Sequence, residues 1–132
     1  MENKVKGRLS RIVFYYLAAV FAVCVAIQVF IAGMATFVDP VKWETHKIFI
    51  RIIEYVPIIM LILSFTGKLP KSLRWQSLSL FLLIIGLYAT ANLTRSIPIA
   101  GAFHPVVALI LFWITVKIIP KARKLAYKPE NS

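Results

Sequence analysis

The sequence predicts an all-α integral membrane protein, a four-helix bundle whose N and C termini are cytoplasmic. Hydrophobic residues make up 60% of its 132 positions, and the mean hydropathy is +0.80. The apolar residues form four long runs, and 16 Lys and Arg, against 5 Asp and Glu, gather mainly between those runs. A water-soluble domain of this size does not have such a composition.

The predicted spans form a single membrane domain and cover residues 12–38, 46–66, 73–93 and 101–119, with a basic cytoplasmic tail over residues 120–132. The first span is long enough to cross a bilayer with some tilt. Its basic start also resembles a signal peptide, but the apolar run is longer than a typical signal core and three further spans follow. We therefore expect an uncleaved first helix.

The basic residues orient the chain. Twelve lie at the N terminus, between spans two and three, and after span four, against four on the other side: Lys42, Lys47, Arg51 and Arg95. The positive-inside rule then predicts a multi-pass membrane protein with both termini inside. The net charge of +11 does not indicate nucleic-acid binding, because no polar domain presents it. The basic clusters instead predict contacts with anionic lipids of the bilayer.

Two histidines open two of the predicted spans. His46 begins span two and His104 begins span four, and both spans run from outside to inside. The two side chains therefore lie at the same depth, on helices that a four-helix bundle can bring face to face. Two neutral imidazoles at matched depth can ligate the iron of a b-type haem. The sequence thus predicts one haem b near the outer leaflet, with His46 and His104 as its ligands.

Other residues at that level suit a haem. The propionates would find cations there, and small residues would let a flat ring approach the helix backbones. The candidate cations are Lys47, Arg51 and Arg95, with Lys42 in the loop, and the small residues are Ala32, Gly33, Gly86, Ala89, Ala91 and Gly101.

Two alternatives remain for the histidines. Histidine is common where a helix enters the headgroup region, and Pro105 after His104 is typical of a helix start. The pair could also bind a transition metal, but a structural zinc site needs further ligands. Asp39 or Glu44 would have to fold back from the loop to supply one.

Gln28 and Glu54 lie well inside the apolar zone, at similar depths of about 12 Å from the outer helix ends. They could hydrogen-bond across helices, and Arg51 is the simplest partner for an ionised Glu54. Arg51, Glu54 and Gln28 are then a structural cluster that fixes helix register, or else part of a proton path or quinone contact. Pro57 should kink span two nearby.

The sequence offers little other chemistry and favours a protein that is not an enzyme. No phosphate loop, nucleophile elbow or metalloprotease motif is present. The single Cys24 lies in the middle of span one and is expected to pack as a small apolar residue.

The segment "QVFIAG" at residues 28–33, the His opening span two with a Pro inside that span, and "HP" at residues 104–105 resemble a family of small bacterial four-helix membrane proteins of unknown function. The resemblance covers about residues 11–123 and implies Gln28, Gly33, His46 and His104 as family-type positions. The architecture is also similar to that of cytochrome b561-like membrane cytochromes, and this likeness implies haem. The chain departs from the two-haem members because it has no inner-leaflet histidines.

Three hypotheses follow. The first is a haem b protein that exchanges electrons with a quinol or an extracytoplasmic redox protein, or that handles haem. The second is a non-catalytic scaffold or accessory membrane subunit without a cofactor. The third is a small transporter, which would require a homo-oligomer because four short spans enclose little volume.

Overall fold

A computed structural model describes residues 2–128, with side chains described for residues 5–128. The described chain is all-α and contains no strand. Its helices are α1 (Glu2–Phe37), α2 (Lys42–Ile53), α3 (Val56–Thr66), α4 (Lys71–Leu93) and α5 (Pro98–Ala126). Because α2 and α3 continue one another, four stretches are long and apolar enough to cross a membrane: Val5–Phe37, Lys42–Thr66, Lys71–Leu93 and Pro98–Ala126. The prediction of four such helices is confirmed.

Both terminal helices extend beyond the predicted spans. Helix α1 starts ten residues before residue 12, and α5 runs from Pro98 to Ala126 rather than over 101–119. The added segments are rich in Lys, Arg and Ala, which are good helix formers. Much of the predicted tail is therefore helical. Residues 129–132 of that tail lie outside the described residues. So does the side chain of Lys4, one of the twelve basic residues predicted to lie on the cytoplasmic side.

Span two is interrupted at Glu54 and Tyr55, between the end of α2 and the start of α3. Pro57 is the second residue of α3 and has no N–H to donate to the carbonyl of Ile53, so one continuous helix would lose a bond there. The expected kink therefore takes the form of a break between two half-helices.

The four spans pack in a ring. Helix α5 contacts both α1 and α4, α3 contacts both α1 and α4, and α2 packs mainly on α1. Spans two and four are thus diagonal to one another. The core is densest on the side of the α3–α4 turn, where Phe14, Met60, Leu73, Leu80 and Ile118 are all buried. Toward the other end, α2 has no comparable packing against α4 or α5 among the described residues, and a cavity lies between the helices.

Candidate functional site: two histidines across an apolar cavity

The cavity has a volume of about 200 Å³ and is lined by all four spans. Its walls are almost wholly apolar, with Phe21 and Val25 from α1 and Leu111 from α5 among them. His46 on α2 and His104 on α5 line it from diagonal corners. The structure therefore brings together the two histidines that the sequence singled out, 58 residues apart along the chain.

His46 is held by a reciprocal pair of hydrogen bonds to α1. Its Nδ1 lies 3.2 Å from the backbone oxygen of Gln28, and the Gln28 side-chain Nε2 donates to the backbone oxygen of His46 at 2.8 Å. The ring also packs edge-on against Trp43, with ring centroids 5.5 Å apart. These contacts fix the imidazole relative to α1 and are the polar link between α1 and α2.

His104 is held in the same manner by α4. Its Nδ1 lies 3.0 Å from the backbone oxygen of Leu87 and 3.1 Å from Oγ1 of Thr90. The Thr90 hydroxyl itself donates to the Leu87 oxygen at 2.9 Å. A second imidazole is thus bonded to a backbone carbonyl of the neighbouring helix.

These bonds determine the tautomer of each neutral ring. A backbone carbonyl can only accept, so Nδ1 of His46 and of His104 must carry the hydrogen. The lone pair of each ring is then on Nε2, and Nε2 has no hydrogen-bond partner among residues 5–128. An Nδ1–H bonded to a carbonyl with a free Nε2 is the usual arrangement of a metal-ligating histidine.

The two rings are close to each other. Their centroids are 6.5 Å apart and their planes are inclined by 57°. Two imidazoles on opposite sides of one metal ion, with bonds of about 2.0–2.1 Å, would have centroids about 6.3 Å apart. The observed separation of the centroids is close to this value.

Gln28 contributes a second feature. The residue is 8% exposed, lines the cavity, and donates through Nε2 as described, while its Oε1 is buried without a hydrogen-bond partner. A buried amide oxygen without a partner is costly and uncommon. Packing alone therefore does not explain why a glutamine occupies position 28.

Glu54 and Gln28 do not bond to each other as the sequence suggested. Glu54 lies at the break in span two, and its Oε2 accepts a hydrogen bond of 2.5 Å from the hydroxyl of Tyr88 on α4. Arg51 is exposed and lies within electrostatic range of this pair. The predicted cluster of Arg51, Glu54 and Gln28 is thus replaced by two separate contacts, Gln28 with His46 and Glu54 with Tyr88.

Of the remaining predicted site residues, Lys47 is a lining residue of the cavity, whereas Arg95 and Gly33 are not. Lys47 lines the cavity and forms an ion pair with Glu44, whereas Arg95 is exposed in the turn between α4 and α5. Gly33 follows Ala32, which does line the cavity, but a Cβ on Gly33 would meet no atom within 4 Å. Gly33 therefore makes no close helix approach that needs a glycine.

No third metal ligand joins the histidines. Within residues 5–128 there is no group of three or more His, Cys, Asp and Glu side chains that could hold an ion. A tetrahedral zinc site, which needs three or four protein ligands, has no basis in this part of the chain.

Sequence reasoning missed Tyr88 and Thr90. Both lie in an apolar span, where a hydroxyl group usually has a hydrogen-bond partner. Their position in the span was therefore the sequence feature that could have marked them as site residues. Their depth could have been counted, but the direction in which each faces could not.

These features define an all-α class of protein with four potential membrane helices and a cavity lined by two histidines. The sequence profile of a family of unknown function, DUF6220, matches residues 28–94, and the chain belongs to this family. The match includes Gln28, His46, Glu54 and Tyr88 and stops before His104. No curated protein and no solved structure matches the chain, so the comparisons give no support to the likeness with cytochrome b561.

Proposed function

We propose that this protein binds one b-type haem between His46 and His104. The observation that carries the proposal is the pair of imidazoles 6.5 Å apart, each with Nδ1 bonded to a backbone carbonyl and Nε2 free. A haem ligated by two neutral imidazoles supplies one-electron transfer. The exchange partner would be a quinol or an extracytoplasmic redox protein, and a role in haem handling would use the same ligands.

The chain's own residues would hold and orient the ligands. The carbonyls of Gln28 and Leu87 fix ring orientation and raise the basicity of Nε2, as carbonyl partners of metal-bound histidines do. The apolar walls keep water away from the site. Lys47, which lines the cavity, is the cation placed to attract a propionate, and Arg51 and Arg95 are exposed on α2 and in the turn between α4 and α5.

The size of the cavity sets a condition on the proposal. A volume of about 200 Å³ is below the roughly 300–1,000 Å³ of pockets that enclose drug-sized molecules, and a whole haem does not fit inside it. The macrocycle edges would have to pass between helices. Helix α2 packs mainly on α1, so an outward movement of α2 would disturb the least packing. Because α2 carries His46, it would have to return once the macrocycle has entered to restore the separation from His104.

The scaffold hypothesis is the second candidate, and one observation favours it. Each histidine already links two helices, His46 joining α2 to α1 and His104 joining α5 to α4. A side chain buried at a helix contact with such a bond contributes to packing whether or not a cofactor is present.

An asparagine substitution separates the two functions. The Asn side-chain nitrogen occupies nearly the position of histidine Nδ1, so His46→Asn and His104→Asn keep the donor to the carbonyl but have no Nε2. We expect purified wild type from haem-replete cells to show a Soret band and sharp α and β bands on reduction. Both Asn variants should lose these bands while unfolding within about 1 kcal/mol of wild type.

Matched controls are Ile48→Ala and Phe103→Ala, which alter exposed neighbours on the same helices and should leave the spectrum unchanged. A wild-type protein that is purified without haem and binds no added hemin would leave the scaffold hypothesis. In that case His46→Ala and His104→Ala should lower stability more than the Asn variants, because they remove the interhelical bonds.

We also propose that both termini are cytoplasmic in a bacterial plasma membrane. The asymmetry of Lys and Arg supports this orientation, and the histidine cavity would then lie near the outer face.

A further inference from the structure

A second concave site lies at the opposite end of the bundle from the histidines. It is a groove of about 880 Å³ between the N-terminal part of α1 and the C-terminal part of α5. Its lining consists of Tyr15 and Tyr16 from α1, Ile119, Pro120, Arg123 and Lys124 from α5, and Tyr127. The groove is independent of the proposed haem site and shares no residue with it.

The tyrosines form one cluster. The hydroxyls of Tyr16 and Tyr127 lie 3.1 Å apart and share one hydrogen bond, which leaves the second hydroxyl hydrogen free to donate. The ring of Tyr15 packs against both, with centroid distances of 4.9 Å to Tyr16 and 6.1 Å to Tyr127. A preformed group of aromatic rings with a free hydroxyl donor is thus held at the groove.

Within residues 5–128 the positive charge of the groove has no counterion. The side chains of Arg123 and Lys124 are exposed and have no ion pair or hydrogen-bond partner among residues 5–128. Within those residues the carboxylates are Asp39, Glu44 and Glu54, all in the α1–α2 loop, α2 or the break that follows. An anion is the complementary occupant, because guanidinium and ammonium groups bind phosphate oxygens strongly.

The neighbouring helix faces are apolar and exposed. One and two turns from Tyr16 along α1 lie Val20 and Val23, which are 55% and 59% exposed. Along α5, Val116 and Trp113 lie on the same face as Pro120 and Lys124 and are 42% and 62% exposed. An anionic group bound in the groove could therefore continue into hydrocarbon chains that run along both helices.

We propose that this groove is a binding site for the headgroup of an anionic phospholipid. The phosphodiester lies between Arg123, Lys124 and the Tyr16–Tyr127 hydroxyls, and the acyl chains cover the apolar faces of α1 and α5. Helix α5, a candidate membrane span, ends at Ala126 beside the groove, and the predicted apolar run of α1 begins at residue 12, one turn before Tyr16. The groove therefore lies at the level expected for bilayer headgroups.

The test compares two variants with the same loss of charge. Full-length protein in mild detergent is titrated with phosphatidylglycerol, and bound lipid is counted by native mass spectrometry. In R123Q/K124Q the affinity for phosphatidylglycerol should fall at least about tenfold. The control K121Q/K128Q loses the same charge on residues outside the groove, and its affinity should remain within about twofold of wild type. Y16F/Y127F keeps the rings, removes the hydroxyl donors, and should weaken binding severalfold.

Three outcomes would overturn the proposal. Equal loss in both charge variants would mean general electrostatic attraction without a site. Equal retention of phosphatidylcholine and phosphatidylglycerol would mean that the anionic charge is not recognised. Complete displacement of the lipid by millimolar inorganic phosphate would assign the groove to a free anion instead.

Discussion

His46 and His104 owe their properties to carbonyl groups rather than to other side chains. Each Nδ1 bonds to a backbone oxygen one helix away, so the chemistry left to each ring is that of Nε2. A carboxylate partner would have brought a charge into the apolar zone, with the desolvation cost that this implies. The carbonyl partner fixes the ring without that cost.

Tyr88 and Glu54 should be energetically coupled. The free-energy coupling measured with Tyr88→Phe, Glu54→Gln and the double variant should be about 1–2 kcal/mol, because one side chain donates directly to the other. Reversible unfolding in detergent provides the measurement. Tyr55→Phe is the control, since this neighbouring hydroxyl has no hydrogen-bond partner among the described residues and its loss should change stability by less than about 0.5 kcal/mol.

Two glycines on different helices should respond in opposite directions to alanine. At Gly101 a Cβ would lie 2.9 Å from Oγ1 and 3.0 Å from Cγ2 of Thr94, so Gly101→Ala should destabilise by about 1–2 kcal/mol. At Gly33 no atom lies within 4 Å, and Gly33→Ala should be neutral or stabilise by up to about 1 kcal/mol. Thermal unfolding of both variants measures the sign of each stability change. A destabilised Gly33→Ala would mean that another group occupies the open space beside Gly33 in the membrane.

The matched depth of the two histidines could be predicted from the sequence, because each opens its span, but the depth of Gln28 and the direction in which residues face could not. Counting 1.5 Å per residue placed Gln28 level with Glu54. Its hydrogen bonds instead place it beside His46, eight residues before Glu54. In a soluble helix a polar face would then give the rotation about the axis. Here lipid-facing residues such as Val20 and core residues such as Phe21 are both apolar, so nothing in the pattern indicated that Gln28 faces His46 and Glu54 faces Tyr88.

At the scale of elements, α2 is distinct from the other helices. It is a 12-residue half-helix, separated from α3 by the break at Glu54 and Tyr55, and it packs mainly on α1. Pro57 predicted the interruption of span two. The weak packing of α2 could not be predicted, because it depends on contacts between helices that are not encoded in any short stretch of sequence. Helix α2 is therefore the element most able to move when the cavity changes size.

Hydrogen exchange should show this difference. In lipid nanodiscs the amides of Lys42–Ile53 should exchange faster than those in the middle of α4, because fewer buried contacts resist local opening. Adding hemin should slow exchange in α2 more than elsewhere, if α2 shifts to admit the macrocycle and then closes on it. Unchanged exchange in α2 at saturating hemin would contradict the role of α2 in admitting haem.

At the scale of the whole molecule, the two ends differ in chemistry. One end has the histidine cavity with Gln28, and the other has the tyrosine groove with Arg123 and Lys124. The number of spans and the charge asymmetry were predictable from composition, because bilayer thickness fixes span length. The cavity and the groove were not, because both depend on how four apolar helices pack.

The proposed orientation predicts the behaviour of fusions. A green fluorescent protein fused to either terminus should fluoresce, and alkaline phosphatase fused after Ser132 should be inactive, because the proposal places both termini inside. Phosphatase inserted in the loop between α1 and α2 serves as the opposite control and should be active. An active C-terminal phosphatase would reverse the orientation and place the histidine cavity on the cytoplasmic side.

The most direct test of haem ligation is a titration of the purified protein with hemin, followed by absorption and low-temperature electron paramagnetic resonance. The proposal predicts saturation at one hemin per chain and the low-spin ferric signal of two axial imidazoles, with both absent from His46→Asn and His104→Asn. A high-spin signal, or identical binding by wild type and both variants, would contradict ligation by this pair.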